Sequence, residues 1–320
     1  MMRLLFLGRA AALALLLSVS LCPGARAADR VRLAVLPFLS QAPIFIALEE
    51  GHFAREGIEI DRVSLQSSYL AIPGLMAGEL DAAIPQASAG LFNAIARGGA
   101  ARYVAPGVVL GAGGCSYAAF YGRGATLAAM ADGSARQLSV AADALAFEGF
   151  LVDLMRAWPG AGRLSFLHRE MPVQAQQAAL ASGALDLAFT SEPWLTRFDD
   201  ARLGRVFAGA EELLPEAQYT GLMLSRRLLE ERPDLGQRFT RAFAAAVRQY
   251  NEGKTARNLD IVARGTRLPA DQLLRACWPF IPADGVVRTE GLMRFQAWLH
   301  AKRAIDRILP ASDLVAAPRP

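Results

Sequence analysis

Apolar and polar positions change period repeatedly along this chain. The run VRLAVLP (31–37) predicts a strand, and residues 43–50 predict a helix that Gly51 closes. IEIDRVSL (58–65) alternates β-branched with polar residues and predicts a second strand. Ser67 and Ser68 stand where a helix running to 76 or 77 needs its N-cap, and Gly78 ends that helix. LDAAI (80–84) reads as a third strand. Ser88 opens a helix with Leu91, Phe92 and Ile95 on one face, and 101–110 reads as a fourth strand. This βαβα order implies an open sheet with helices on both faces.

The pattern then restarts. Residues 103–122 carry no charge, but Pro106 and five glycines make a poor spanning helix, so they read as a buried strand and a flexible crossing. Strands follow over 136–142, 163–168, 185–189 and 205–210, with helices over 145–158 and 172–181, Pro172 standing at a helix start. From 224 the chain is mostly helical. Leu235, Phe239, Phe243, Val247 and Tyr250 recur every three or four residues and define one apolar face. The last residues, 311–320, read as a flexible tail.

Two segments echo each other. AGELDAAI (77–84) and SGALDLAF (182–189) share a helix end, a glycine, a Leu-Asp pair and a short apolar strand. The glycine suits a left-handed helix C-cap, the Asp a turn at the strand's start, and the apolar run burial between helical layers. The echo predicts two lobes built from one unit. In open α/β sheets ligands bind beyond the carboxyl ends of strands. Here those ends are 85–88 in one half and 190–194 in the other.

The N-terminus bears on compartment. Arg3 and Arg9 precede an uncharged apolar run over 10–21, then Pro23-Gly24 and Ala25-Arg26-Ala27, the order of a cleaved signal peptide. Removing 1–27 takes three arginines and no acid, so the net charge falls from +4 to +1. Nothing remains of a basic footprint for nucleic acid. Cys22 leaves with the signal. Cys115 and Cys277 read as two buried thiols, in a compartment that also permits a bridge between them.

The stretches APIFIALEEGHFAREGIEI (42–60), LMAGELDAAIPQASAGLFNAIARGG (75–99), SGALDLAFTSEPW (182–194) and ERPDLGQRFTRAFAAAVRQY (231–250) resemble the bacterial solute-binding proteins related to thiamine-pyrimidine, sulfonate, taurine and nitrate binders. The resemblance implies an α/β periplasmic-binding-protein fold of two Rossmann-like lobes around a cleft. Lobe one would take 28–112 completed by 214–310, lobe two 113–213, with hinges near 111–114 and 215–221. It also implies a monomer that delivers a small molecule to an ABC permease and its ATPase, with no cofactor and no metal. An alternative of the same fold is an enzyme that makes a pyrimidine precursor, marked by a cysteine-rich cluster; GGCSY here has one cysteine. A binder serving a receptor or a non-ABC transporter is a third reading.

Candidate ligand contacts follow from strand ends and family placement: Phe38, Gln41, Ser67, Ser68, Tyr69, Gln86, Ser88, Glu192, Trp194 and Tyr219. Asp143 and Glu148 rank below them. The serines also suit helix caps, and Glu192 either accepts from a ligand or caps the helix that Pro193 begins. No arginine stands out among these loops, whereas an anion usually recruits a guanidinium. A neutral or cationic, partly flat solute such as a heterocycle is therefore expected over a small inorganic anion, with a sulfonate-like compound held by helix ends as the alternative. Catalytic patterns are poor: His52, His168 and His300 lack metal-ligand spacing, and Ser88 lies outside a Gly-x-Ser-x-Gly elbow.

Overall fold

The computed structural model describes residues 28–65, 67–111, 114–157 and 163–316. The expected signal peptide, 1–27, lies outside them. Among the described residues ten strands form: β1 (Asp29–Val35), β2 (Ile58–Ser64), β3 (Ala82–Ala83), β4 (Arg102–Pro106), β5 (Ala118–Arg123), β6 (Gln137–Ala141), β7 (Ser165–Arg169), β8 (Leu187–Ser191), β9 (Gly204–Gly209) and β10 (Gly221–Leu224). They make two five-stranded sheets, ordered β2-β1-β3-β10-β4 and β7-β6-β8-β5-β9. The two orders correspond position by position. In each sheet the first three strands run parallel, and the fourth, β10 or β5, is antiparallel to both neighbours.

The sequence echo marks one hydrogen-bonded device used twice. Gly78 and Gly183 end their helices at φ +74° and +82°. Asp81 follows the first. Its backbone N–H donates to Arg32 O of β1 at 2.8 Å, and its carboxylate accepts from Arg32 N at 2.8 Å. Asp186 repeats the pair with Ser139 of β6, at 3.2 and 2.9 Å. The aspartate thus clamps β3 to β1 and β8 to β6, a stronger reason for its presence than the expected turn. Asp81 is fully buried and also receives Arg32 and Arg227; Asp186 instead receives the hydroxyls of Ser139 and Thr126.

Three expectations are corrected. First, β5 and β10 were not legible. AAFYGR and GLML are short and adjoin the crossings, yet each is fully buried apart from Arg123 and pairs on both sides. Second, the chain does not fray at 311. Residues Ala311–Leu314 form a helical turn, Leu314 is fully buried, and Ala316 N donates to Tyr103 O at 2.9 Å, so residues 311–316 are tied to β4; the rest of the expected tail lies outside the described residues. Third, Cys115 and Cys277 are joined in a disulfide rather than left as free thiols. It fastens the first crossing to the segment after the helix Ala270–Arg275.

The helix Pro233–Tyr250 buries its expected apolar face, Leu235, Phe239, Phe243, Val247 and Tyr250. It packs on the helices Ala42–Glu49 and His52–Arg55, with Phe53 stacked on Phe239 at 4.8 Å. The two sheets are bridged by the helix Thr289–Ala301. Its Phe295 stacks on Phe150 at 5.6 Å and meets Phe147 edge-on at 5.5 Å, while Trp298 Nε1 donates to Asp153 at 2.9 Å. Among the described residues no helix is long and apolar enough to cross a membrane.

Candidate functional site

Strand ends of both sheets converge on one cavity of about 260 Å³. The end of β1 supplies Phe38, Ser40 and Gln41; β3 leads to Gln86; β8 leads through Thr190 and Ser191 to Glu192 and Trp194. Tyr117 and Tyr219 enter from the two crossings. An adjoining cavity of about 290 Å³ is lined by Tyr69, Asp143, Arg169 and Glu170. Glu148, Gln176 and Phe189 line both. This is where open α/β sheets place ligands, because helices cover their faces and only the strand ends stay reachable.

The polar groups here are incompletely matched. Gln41, Gln86 and Gln176 are 1%, 7% and 7% exposed. Gln41 Oε1, Gln86 Nε2 and Gln176 Oε1 are buried with no hydrogen-bond partner. Tyr69 donates its hydroxyl to Gln86 Oε1 at 2.8 Å, which fixes that amide with its nitrogen left over. The Gln86 side chain also approaches Glu148 and Tyr219, yet neither meets Nε2 at hydrogen-bonding geometry. Buried polar atoms are nearly always paired, so three orphans around one cavity ask for partners from outside the chain.

Charge in the site follows burial. Burial pushes the phenols of Tyr69 and Tyr219 well above their ordinary range and raises Tyr117, so all three remain neutral donors near neutral pH. Burial raises the Glu148 carboxyl to about 7, with Asp143 adding to the effect. Glu192 is raised by burial too, against the pull of its hydrogen bonds from Cys277 and Thr196.

The fold is that of the periplasmic binding proteins. The ligand-binding component of an ABC-type import system from Staphylococcus aureus matches with a TM-score of 0.68 at 16% identity, over 90% of this chain and 96% of that one. The periplasmic aliphatic sulphonate binding protein SsuA from Escherichia coli matches with a TM-score of 0.69 at 16% identity, over 91% and 93%. A DSZB mutant in complex with biphenyl-2-sulfinic acid matches with a TM-score of 0.63 at 15% identity, over 90% and 96%. Residues 24–113 match the model of the NMT1-like family. No curated protein matches the chain in sequence. The S. aureus structure carries zinc; among the described residues of this chain, no cluster of three or more His, Cys, Asp or Glu could hold a metal ion.

Within this periplasmic-binding fold, the structure brings Phe38, Gln41, Ser68, Gln86, Glu192, Trp194 and Tyr219 to the first cavity, and Tyr69 to the adjoining one. Two candidates stand apart from both linings. Ser88 caps its helix, accepting from Leu91 N at 3.2 Å, and Ser67 precedes a short 3-10 turn. Glu192 resolves toward a structural role: it accepts from Thr196 N, Thr196 Oγ1 and Cys277 N at 3.1, 3.0 and 2.9 Å. Trp194 holds the guanidinium of Arg197 over its ring at 4.7 Å.

Ser40, Tyr117 and Gln176, which the sequence did not single out, also line the first cavity, and Glu148 lines both. An arginine also went unflagged: Arg169, at the end of β7, lines the adjoining cavity, although not the first. The strand-end rule that found Gln86 would have flagged Arg169. Gln176 gives no such signal, since it lies inside a helix, Val173–Ser182, whose buried side is set by packing.

Proposed function

We propose that this chain is the periplasmic substrate-binding component of an ABC importer, closing two lobes on a small neutral or cationic organic solute. One observation carries the reading: three glutamines, each more than nine-tenths buried, aim unpartnered amide atoms around one cavity between two equivalent sheets. A solute with matching donors and acceptors satisfies them and gains affinity from doing so. Phe38, Trp194 and Tyr219 supply flat apolar surface, and Gln41, Ser68, Tyr69 and Gln86 supply hydrogen bonds. Lobe one is taken as 28–112 with 214–310, and lobe two as 113–213. The aliphatic-sulphonate binder and the import component of similar fold support the binding-component part of this reading, not the charge of the solute, and the signal-like pattern over 1–27 supports export.

Binding without chemistry is favoured by the lining. Among the described residues, no histidine, cysteine or lysine lines either cavity. The partners would be a membrane permease and its ATPase. Titrating the mature chain calorimetrically with panels of amines, heterocycles and sulfonates tests the reading. One class should bind at a single site, and Gln86→Leu and Trp194→Ala should each weaken it at least tenfold, about 1.4 kcal/mol. Unchanged affinity in both variants would place the site elsewhere.

A further inference from the structure

Glu148 has no assigned task in the fold. It sits in the first turn of the helix Phe147–Met155, after the end of β6, and is the one carboxyl that lines both cavities. Tyr69 and Gln86 from lobe one, Tyr219 from the second crossing and Asp143 from its own lobe surround it. Arg169 lies in the adjoining lining but forms no ion pair with Glu148, and Glu170 beside it carries the same sign of charge as Glu148. Among the described residues, the lining of the first cavity holds Glu148 and Glu192 and no lysine, arginine or histidine. Glu192 is occupied by Thr196 and Cys277, so Glu148 is its unanswered charge.

We propose that Glu148 is the specificity-determining residue of the cleft, selecting solutes that bring a cationic N–H group, an amine, an amidinium or a protonated ring nitrogen, and rejecting carboxylates and sulfonates. The inference rests on the reading of the cleft as a solute site. A half-buried carboxylate without a counter-charge is still costly, and a ligand cation that hydrogen-bonds to it removes that cost. A sulfonate in the same cavity would face two carboxyl groups and no cation. The three glutamines complement either ligand, because an amide offers both donor and acceptor; Glu148 alone makes the choice depend on charge. Since its carboxyl sits near 7, cation binding strengthens as pH rises through neutrality.

Three ring-matched probes test this: benzamidinium, whose own charge is constant from pH 6 to pH 8, neutral benzamide, and benzenesulfonate. Affinities are measured by calorimetry for the mature wild-type chain and Glu148→Gln. The wild type should prefer benzamidinium to benzenesulfonate at least tenfold at pH 8. Its benzamidinium affinity should rise roughly tenfold from pH 6 to pH 8, as the carboxyl ionises. Glu148→Gln should lose both effects while holding benzamide within threefold. As a ligand-free readout, the variant should melt higher than wild type at pH 8 and alongside it at pH 4.5. The sign follows because a carboxyl raised in the fold stabilises the native state at acid pH and penalises it above its folded pKa. Equal or tighter benzenesulfonate binding, or a benzamidinium preference that survives the substitution, overturns the charge assignment and leaves the cleft reading standing. No probe binding, together with equal melting of both proteins at both pH values, overturns both.

Discussion

Gln176 and Glu192 show how differently two buried polar residues of one cavity can be used. Gln176 Oε1 has no partner, so the unliganded protein bears a desolvation cost of about 1–3 kcal/mol there. Glu192 accepts three hydrogen bonds and ties the β8 loop to Cys277. Substitution should therefore move stability in opposite directions. Gln176→Leu should raise unfolding free energy by about 1 kcal/mol while weakening solute binding, and Glu192→Ala should lower it by about 1–3 kcal/mol. Urea unfolding of the two variants without ligand checks both; destabilisation by Gln176→Leu would mean that its amide is satisfied within the fold. At this scale the sequence was informative at several strand ends, though not at Ser40 or Arg169. Gln41, Gln86 and Trp194 could be placed because backbone topology alone brings them to the cleft. Gln176 could not, because which side of a ten-residue helix faces inward depends on neighbours far away in sequence.

The element best read from sequence was the repeated helix-glycine-Leu-Asp-strand unit, and its aspartate proves to be a strand clamp. Asp81 is fully buried and held by Arg32 and Arg227, with distances of 3.1 and 2.8 Å. Removing it leaves two guanidinium groups and the Arg32 N–H without their acceptor, so Asp81→Ala should cost about 3–5 kcal/mol. Asp186, which meets hydroxyls and a more distant Arg123 at 3.9 Å, should cost less, about 1–3 kcal/mol. Denaturant curves of the two variants compare them, and an equal loss would mean that the arginines add nothing. The antiparallel strands β5 and β10 resisted reading for a physical reason. Four to six residues fully buried between two neighbours need no polar alternation, so no period marks them. The chain end was misjudged from composition, which says nothing about Leu314 filling a core position beside β4.

At the level of the whole molecule, two equivalent sheets face one another across the cleft and are joined behind it by aromatic contacts. Phe147 and Phe150 of the second sheet's layer meet Phe295 and Trp298 of the C-terminal helix, while Tyr219 lies edge-on to Phe147 at 5.5 Å. The disulfide at Cys115 and the exposed Arg275–Asp200 pair at 2.8 Å add further ties between the halves. This arrangement keeps the strand ends opposed, so that the orphaned amides and Glu148 converge. The central claim is that the gap is a solute site, and native mass spectrometry of the protein taken from its own host addresses it most directly. The account predicts a one-to-one complex with a small organic compound, present in the wild type and lost in a Gln41→Leu/Gln86→Leu variant isolated identically. Wild-type protein that arrives bare and stays bare after incubation with host extract would contradict it.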